Sequence, residues 1–381
     1  MRIAIIITGL GIGGAEIMLY KLLERMDRQR FQCHVFSLTQ PGEIGQRIQA
    51  LGIPVESLDL SRSVFKLGAV FTLVRRLKTL QIDLVNTWMY HADLIGGLAA
   101  RAAGVRQVIW GIRTADFVRS KEKRATRFIV RINARLSHWV PVGIISCSEA
   151  AREVHDRLGY RLEKITVIPN GFDVARFVPD ASARISVRQE LHVDEDTPLV
   201  GIVGRHTPQK NHVGFFEAAE RLRRRHPRVR FVVVGRGFAP LREKLAGAMH
   251  DTGLDAAIHW LGQREDMPRL MASLDLLASS SDGEGFPNVL GEAMACGVPC
   301  VVTDVGDSAF IVGQTGRVVP VGDMAGLAAA MGDLLSLSTS DRLALGRQAR
   351  IRVREHFEIG GVVRRYEAYF LAHHPGSGSR G

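Results

Sequence analysis

The segment Ser281-Asp282-Gly283-Glu284-Gly285-Phe286-Pro287-Asn288-Val289-Leu290-Gly291-Glu292 sets two glutamates among glycine and proline. It follows an apolar run, Leu274–Ala278, that reads as a buried strand. Pro287 suits the first turn of a helix, and Gly297 suits its end. Glu284 therefore falls in the loop before the helix, and Glu292 falls inside it. The helix start around Asn288–Leu290 offers backbone N–H groups to a phosphate. The loop carboxylate can accept sugar hydroxyls, and the one further along can accept ribose hydroxyls. Either glutamate alone reads as surface charge. Together, with Gly/Pro packing on both sides, they do not read as surface filler.

A second cluster is Val203-Gly204-Arg205-His206-Thr207-Pro208-Gln209-Lys210-Asn211: a strand end, a loop with two cations and a helix start. Arg205 can hold phosphate oxygens in a fork, and Lys210 can add a point charge. A diphosphate leaving group needs that neutralisation where no metal supplies it. Near the start, Gly9, Gly11 and Gly14 match G-x-G-x-x-G between a strand and a helix. A dinucleotide site also wants an acid at the end of the second strand. That strand ends Ser37-Leu38-Thr39-Gln40, with Asp27 before it and Glu43 beyond it. What remains is a turn that lets backbone approach an anion closely. Of the four cysteines, Cys296 and Cys300 lack a second Cys/His pair to complete a metal site. Cys33 and Cys147 sit in apolar strand-like runs and read as buried thiols, the cysteine pattern fits a reducing compartment, and no metal is expected. Asp194-Glu195-Asp196 reads as solvated charge.

The elements that would hold these residues alternate regularly. Strand runs Ile3–Ile7, Cys33–Ser37, Val55–Leu58, Leu84–Asn86, Val108–Gly111, Ile144–Cys147 and Ile165–Ile168 are separated by helical patterns, among them Ala15–Met26, Val64–Leu80 and Leu94–Ala103. A second series runs Leu199–Val203, Arg230–Val234, Ala257–Trp260, Leu274–Ala278, Cys300–Thr303 and Arg317–Val319. Repeated βα units predict α/β domains with parallel sheets. The reading is two doubly wound domains, 1–175 and 190–357, facing each other across a cleft. They are joined near 170–198, where Val178–Asp196 looks polar and irregular. The last helix, 358–372, is expected to pack back on the first domain, and the Gly/Ser tail Pro375–Gly381 to be disordered.

With 381 residues, 50 Lys plus Arg and 39 Asp plus Glu, the formal charge is +11. That excess favours anionic partners. The basic run Arg221–His226 lacks the aromatics that would stack bases, so no nucleic acid is expected. Without a signal-peptide pattern or a span-length apolar run, the expected location is cytoplasmic. Over Arg124–Val140, Arg124, Arg127, Arg131 and Arg135 form one helical stripe beside Phe128, Ile132, Leu136 and Trp139. That pattern suits either an interfacial helix on the inner membrane face or a surface helix packed on the sheet.

Taken together, these pieces resemble the group-1 (family four) retaining glycosyltransferases of the GT-B fold. The resemblance spans Gly13-Gly14-Ala15-Glu16, Ile168-Pro169-Asn170-Gly171-Phe172-Asp173, Gly204-Arg205 with Lys210, Gly262 after Trp260, and above all the E-x7-E of Glu284 and Glu292. Asn86–Asp93 and Trp110-Gly111-Ile112-Arg113 look like members that build bacterial surface polysaccharides. The resemblance implies that Arg205 and Lys210 hold the donor diphosphate, Glu284 the donor sugar and Glu292 the ribose. Backbone at Phe286, Pro287, Asn288, Val289 and Leu290 would cap the phosphates and sugar. Gly13 and Gly14 would close over the diphosphate. His91 would lie near the donor sugar, and Glu16 and Arg113 on the acceptor side. The implied donor is a nucleotide-sugar, UDP-sugar favoured, used without metal or covalent intermediate. The implied acceptor is a glycan or a polyprenyl-diphosphate-linked sugar. An epimerase or phosphorylase on the same scaffold, and a dinucleotide-dependent oxidoreductase, are the alternatives.

Overall fold

The computed structural model describes residues 1–60, 67–115 and 124–374. The expected helix start at 64–66 and the tail at 375–381 lie outside the described residues. The chain forms two compact units, Met1–Gly171 with the segment from Ile359 onward, and Phe172–Glu358.

In the first unit the order is β1 (Arg2–Ile7), α1 (Gly14–Arg25), β2 (Gln32–Ser37), α2 (Gly42–Ala50), β3 (Val55–Ser57), α3 (Leu67–Thr79), β4 (Leu84–Trp88), α4 (Tyr90–Ala102), β5 (Gln107–Ile112), α5 (Arg124–Leu136), β6 (Gly143–Ser146), α6 (Glu149–Arg157) and β7 (Ile165–Val167). Its described strands pair in parallel in the order β3-β2-β1-β4-β5-β6-β7. Ala4 and Ile6 of β1 enter one hydrophobic cluster, and Ile3, Ile5 and Ile7 enter another. A strand buried on both faces has no polar alternation, which is why β1 reads as one apolar run.

The second unit carries α7 (Ala181–Glu190), β8 (Leu199–Val203), α8 (His212–Arg225), β9 (Arg230–Val234), α9 (Ala239–Asp251), β10 (Ile258–Gly262), α10 (Met267–Ser273), β11 (Leu276–Ser279), α11 (Asn288–Ala295), β12 (Cys300–Thr303), α12 (Ser308–Val312), β13 (Arg317–Val319), α13 (Met324–Ser336) and α14 (Thr339–His356). Its sheet order is β10-β9-β8-β11-β12-β13, again parallel. Both sheets therefore run outward in both directions from their first strand, the doubly wound arrangement. The final helix, α15 (Ile359–Ala372), buries Ile359, Val362, Val363, Tyr366 and Phe370 in the cluster that holds Ile3 and Ile5.

One stretch departs from the sequence reading. Residues 178–196, expected to be irregular, contain α7. Asp180 caps it by accepting the Ala183 N–H at 2.9 Å. Arg188 turns inward, 2% exposed, and bonds Asp275 Oδ2 at 2.6 Å and the carbonyls of Asp194 and Thr197. Hydropathy scores an inward arginine as surface, so the helix was not legible.

Candidate active site

In the second unit, β8 and β11 are neighbours whose connections lead to opposite sides of the sheet. The carboxyl ends of such a strand pair make a ligand crevice. The loop after β8 carries Gly204, Arg205 and Lys210, and the loop after β11 carries Ser281 and Glu284. Lys210 Nζ reaches Glu284 Oε1 at 2.5 Å, and Ser281 Oγ donates to the same oxygen at 2.7 Å. The two side chains are 26% and 11% exposed. Their loops are stitched together. Asp282 N–H bonds the Gln209 carbonyl at 2.7 Å, and Asn211 Nδ2 bonds Asp282 Oδ1 at 3.1 Å. Ser280 Oγ donates to the carbonyls of Lys210 and Asn211.

The Glu284 loop is also held from its far side. Gly306 has φ of +57°, and a Cβ there would come 2.7 Å from the carbonyls of Glu284 and Gly285. Asp307 N–H bonds the Gly285 carbonyl at 3.0 Å, and Thr303 Oγ1 bonds that of Ser281 at 2.6 Å. Rigid support of this kind is what a site needs to hold a group within a fraction of an ångström. Sequence reasoning missed Gln209, Ser281, Thr303 and Gly306 as part of this frame. A serine three residues before Glu284 was the only local signal.

At α11, Phe286 is buried, stacked on Phe172 at 6.0 Å and edge-on to Phe357. Pro287 is the N-cap, and no side chain caps the helix. The expectation of N–H groups along Asn288–Leu290 needs one correction. The Leu290 N–H is taken by the Pro287 carbonyl at 3.2 Å, because the first turn closes on itself there. Asn288 and Val289 are half-buried, as is Glu292. Arg205 is exposed and pairs with no described residue. His212, at the start of α8, is buried against His206 and Phe238, and burial drives its pKa down to about 3. It is neutral at physiological pH, so Arg205 and Lys210 are the cations these two loops present.

The first unit repeats the arrangement at β1 and β4. The loop after β1 holds Gly9–Gly14. A Cβ at Gly13 would meet the carboxylate of the half-buried Glu16, which folds over this glycine. After β4 the chain turns at Met89, φ +75° and ψ +155°, a positive φ that side chains rarely adopt. His91 follows, half-buried, as the second residue of α4. Arg113 lies 4.2 Å over the Trp88 ring and donates to Tyr366 Oη at 2.9 Å and Asn170 Oδ1 at 2.5 Å. It fastens α15 and the segment before Gly171 to the end of β5.

On α5, Arg124, Arg127, Arg131 and Arg135 are all exposed, and the helix contains no acid. It ends at Leu136 rather than near Val140. The buried face is Val130, Asn133 and Ala134, while Phe128 and Trp139 stand 64% and 73% exposed. The apolar stripe expected from helical spacing is thus divided between core and surface. Arg131, Arg135, His138 and Trp139 line a pocket of about 570 Å³. No described helix is long and apolar enough to cross a membrane. All four cysteines are free, and burial raises the Cys296 thiol to about 12.

The family model for glycosyl transferases group 1 matches residues 197–337, and that for glycosyltransferase family 4 matches residues 12–176. A phosphatidyl-myo-inositol mannosyltransferase of Mycolicibacterium smegmatis is 32% identical over 288 residues, 74% of this chain and 68% of that one. The UDP-Gal:alpha-D-GlcNAc-diphosphoundecaprenol alpha-1,3-galactosyltransferase of Escherichia coli is 26% identical over 275 residues, 70% and 68% of the two chains. Among solved structures, Anabaena Alr3699/HepE in complex with UDP has a TM-score of 0.86 at 24% identity, covering 98% of this chain and 100% of that one. That last likeness is one of fold. Two parallel Rossmann-like sheets, paired loops at each switch point and these matches lead to one assignment: the chain belongs to the group 1, family 4 glycosyltransferases and has the GT-B architecture.

Proposed function

We propose that this glycosyltransferase moves a sugar from a UDP-sugar to a polyprenyl-diphosphate-linked acceptor, with retention at the anomeric carbon and no bound metal, in bacterial polysaccharide biosynthesis. The observation that carries the reading is the Lys210–Glu284 contact at the β8/β11 switch point, with Arg205 unpaired on the same loop as Lys210. Arg205 and Lys210 neutralise the diphosphate. Glu284 accepts donor-sugar hydroxyls, Glu292 accepts ribose hydroxyls, and the Phe286–Leu290 backbone caps the phosphates. On the first unit, Gly13 and Gly14 bind diphosphate through backbone, and His91 acts on the sugar.

In this reaction the bond from the anomeric carbon to the diphosphate oxygen breaks first, leaving an oxocarbenium-like centre. The acceptor hydroxyl attacks the face that the diphosphate leaves. Its proton passes to the departing phosphate oxygen. Catalysis is then positioning and charge stabilisation, with no covalent protein intermediate. The UDP complex of the Anabaena fold neighbour and the diphosphoundecaprenol-linked acceptor in the name of the E. coli relative support the choice of donor and acceptor. The arginine stripe of α5, with Phe128 and Trp139 outward, supports a peripheral site on the anionic cytoplasmic face of the membrane.

The test is nucleotide release from UDP-, GDP- and ADP-sugars, with and without EDTA, and with a bacterial lipid extract. Release from a UDP-sugar, raised by lipid and indifferent to EDTA, is expected. Release from another donor, or loss in EDTA, would overturn that part of the reading.

A further inference from the structure

Beneath the turn that carries His91 lies a buried cluster of polar side chains that the proposed reaction does not use. Asp93, on the first turns of α4, is fully buried. Its Oδ1 accepts from Thr87 Oγ1 on β4 at 2.5 Å and from Gly111 N–H on β5 at 3.3 Å. Its Oδ2 has no partner among the described residues. The Asp93 N–H bonds the Met89 carbonyl at 2.9 Å, and the Met89 N–H bonds the Gly111 carbonyl at 3.0 Å. On the other side of His91, Tyr90 is held twice. Its hydroxyl meets His155 Nε2 at 3.0 Å, and its carbonyl accepts from Asn133 Nδ2 at 2.9 Å.

His91 thus stands between two anchored residues, on a turn whose positive-φ Met89 costs about 1–3 kcal/mol and persists only where neighbours enforce it. Leaving a carboxyl in this core is itself costly. The bonds it makes run to the two strands that flank the turn. We propose that Asp93 is a positioning residue: its carboxyl ties α4 to β4 and β5 and so fixes the turn from which His91 acts. This rests on the reading of His91 given above.

No described cation pairs with Asp93, and burial raises its pKa to about 8, so the acid is neutral at physiological pH even though the bonds it accepts from Thr87 and Gly111 pull the other way. The titratable groups around it are Tyr90, His155 on α6 and Tyr160 beyond α6. Burial lowers His155 to about 4 and pushes Tyr160 well up, so neither gains charge near pH 8. Ionisation of Asp93 would put an uncompensated charge under the turn.

The experiment measures kcat and donor KM against pH for the wild type, Asp93→Asn and Asp93→Ala, with melting temperatures, and His91→Ala alongside. Wild-type kcat is expected to fall above about pH 8 while donor KM stays within about twofold. Asp93→Asn keeps neutral-pH kcat and loses that alkaline fall. Asp93→Ala, if it folds, loses about 10- to 100-fold in kcat, the scale of a displaced catalytic group. An alkaline fall that persists in Asp93→Asn would overturn the proposal whether or not Asp93→Ala folds. Wild-type turnover in His91→Ala would remove the reading of His91 on which it rests. Absence of transfer by the wild type would instead strike the proposed donor and acceptor.

Discussion

Lys210 Nζ and Glu284 Oε1 lie 2.5 Å apart although 74 residues separate them in the chain. The contact exists because β8 and β11 are neighbours in the sheet, so the loops that leave their carboxyl ends converge. The ammonium has three donors, enough to serve both the carboxylate and a phosphate oxygen. Glu284→Gln keeps the shape and removes the charge. Transfer should fall by at least about 100-fold, as when a preorganised electrostatic contact is lost. A partly exposed pair contributes about 1 kcal/mol at most, so the melting temperature should move by only a few degrees. Near-normal turnover would take Glu284 out of the mechanism.

Arg205 is exposed and its side chain makes no hydrogen bond or ion pair with any described residue, so Arg205→Ala should leave folding nearly untouched. A charge-assisted bond to phosphate contributes about 1.5–3 kcal/mol, so UDP affinity should drop about 10- to 100-fold by calorimetry. Unchanged affinity would place the diphosphate elsewhere.

Asp93 also sets a pH dependence of stability. Unfolded, its carboxyl loses its proton near the ordinary value of 3.8; folded, it keeps the proton to about 8. The folded state therefore binds the extra proton between those values. Stability should decline as pH rises through that window and level off above it. Asp93→Asn cannot ionise in either state, so its urea midpoint should lack this decline. A midpoint that falls in parallel with wild type would show the acid is not neutral in the fold.

Each arginine near an anionic bilayer contributes about 1 kcal/mol. Changing Arg127 and Arg131 to glutamate should weaken binding to phosphatidylglycerol vesicles by at least about 30-fold, read by co-sedimentation. Trp139→Ala should weaken it further. Turnover of a water-soluble acceptor should not change. Undiminished vesicle binding would leave α5 an ordinary surface helix.

Arg113 joins Trp88, Tyr366 and Asn170, and both polar partners are nearly buried. Arg113→Ala should cost about 3 kcal/mol, the sum of a lost cation–π contact and orphaned polar groups. Arg113→Lys should recover only part, lacking the planar fork. Thermal melts check this. Full stability with lost acceptor affinity would instead return Arg113 to the acceptor side.

The sequence by itself determined what depends on local order. Leu199–Val203, Arg230–Val234, Cys300–Thr303 and Arg317–Val319 are strands with the bounds their apolar runs predict. Gly/Pro punctuation located the loops that carry Arg205, Lys210 and Glu284, and the spacing of Glu284 and Glu292 pointed to the family. The tertiary structure alone decided which loops meet, since strand order is a non-local choice that hydropathy does not encode. It decided that Arg188 faces inward, that Gly306 braces Glu284 from a loop beyond the next strand, and that Asp93 is buried without a counter-ion. Each of these depends on a partner distant in sequence or on the absence of one. A pattern read along the chain records the residue and not the partner.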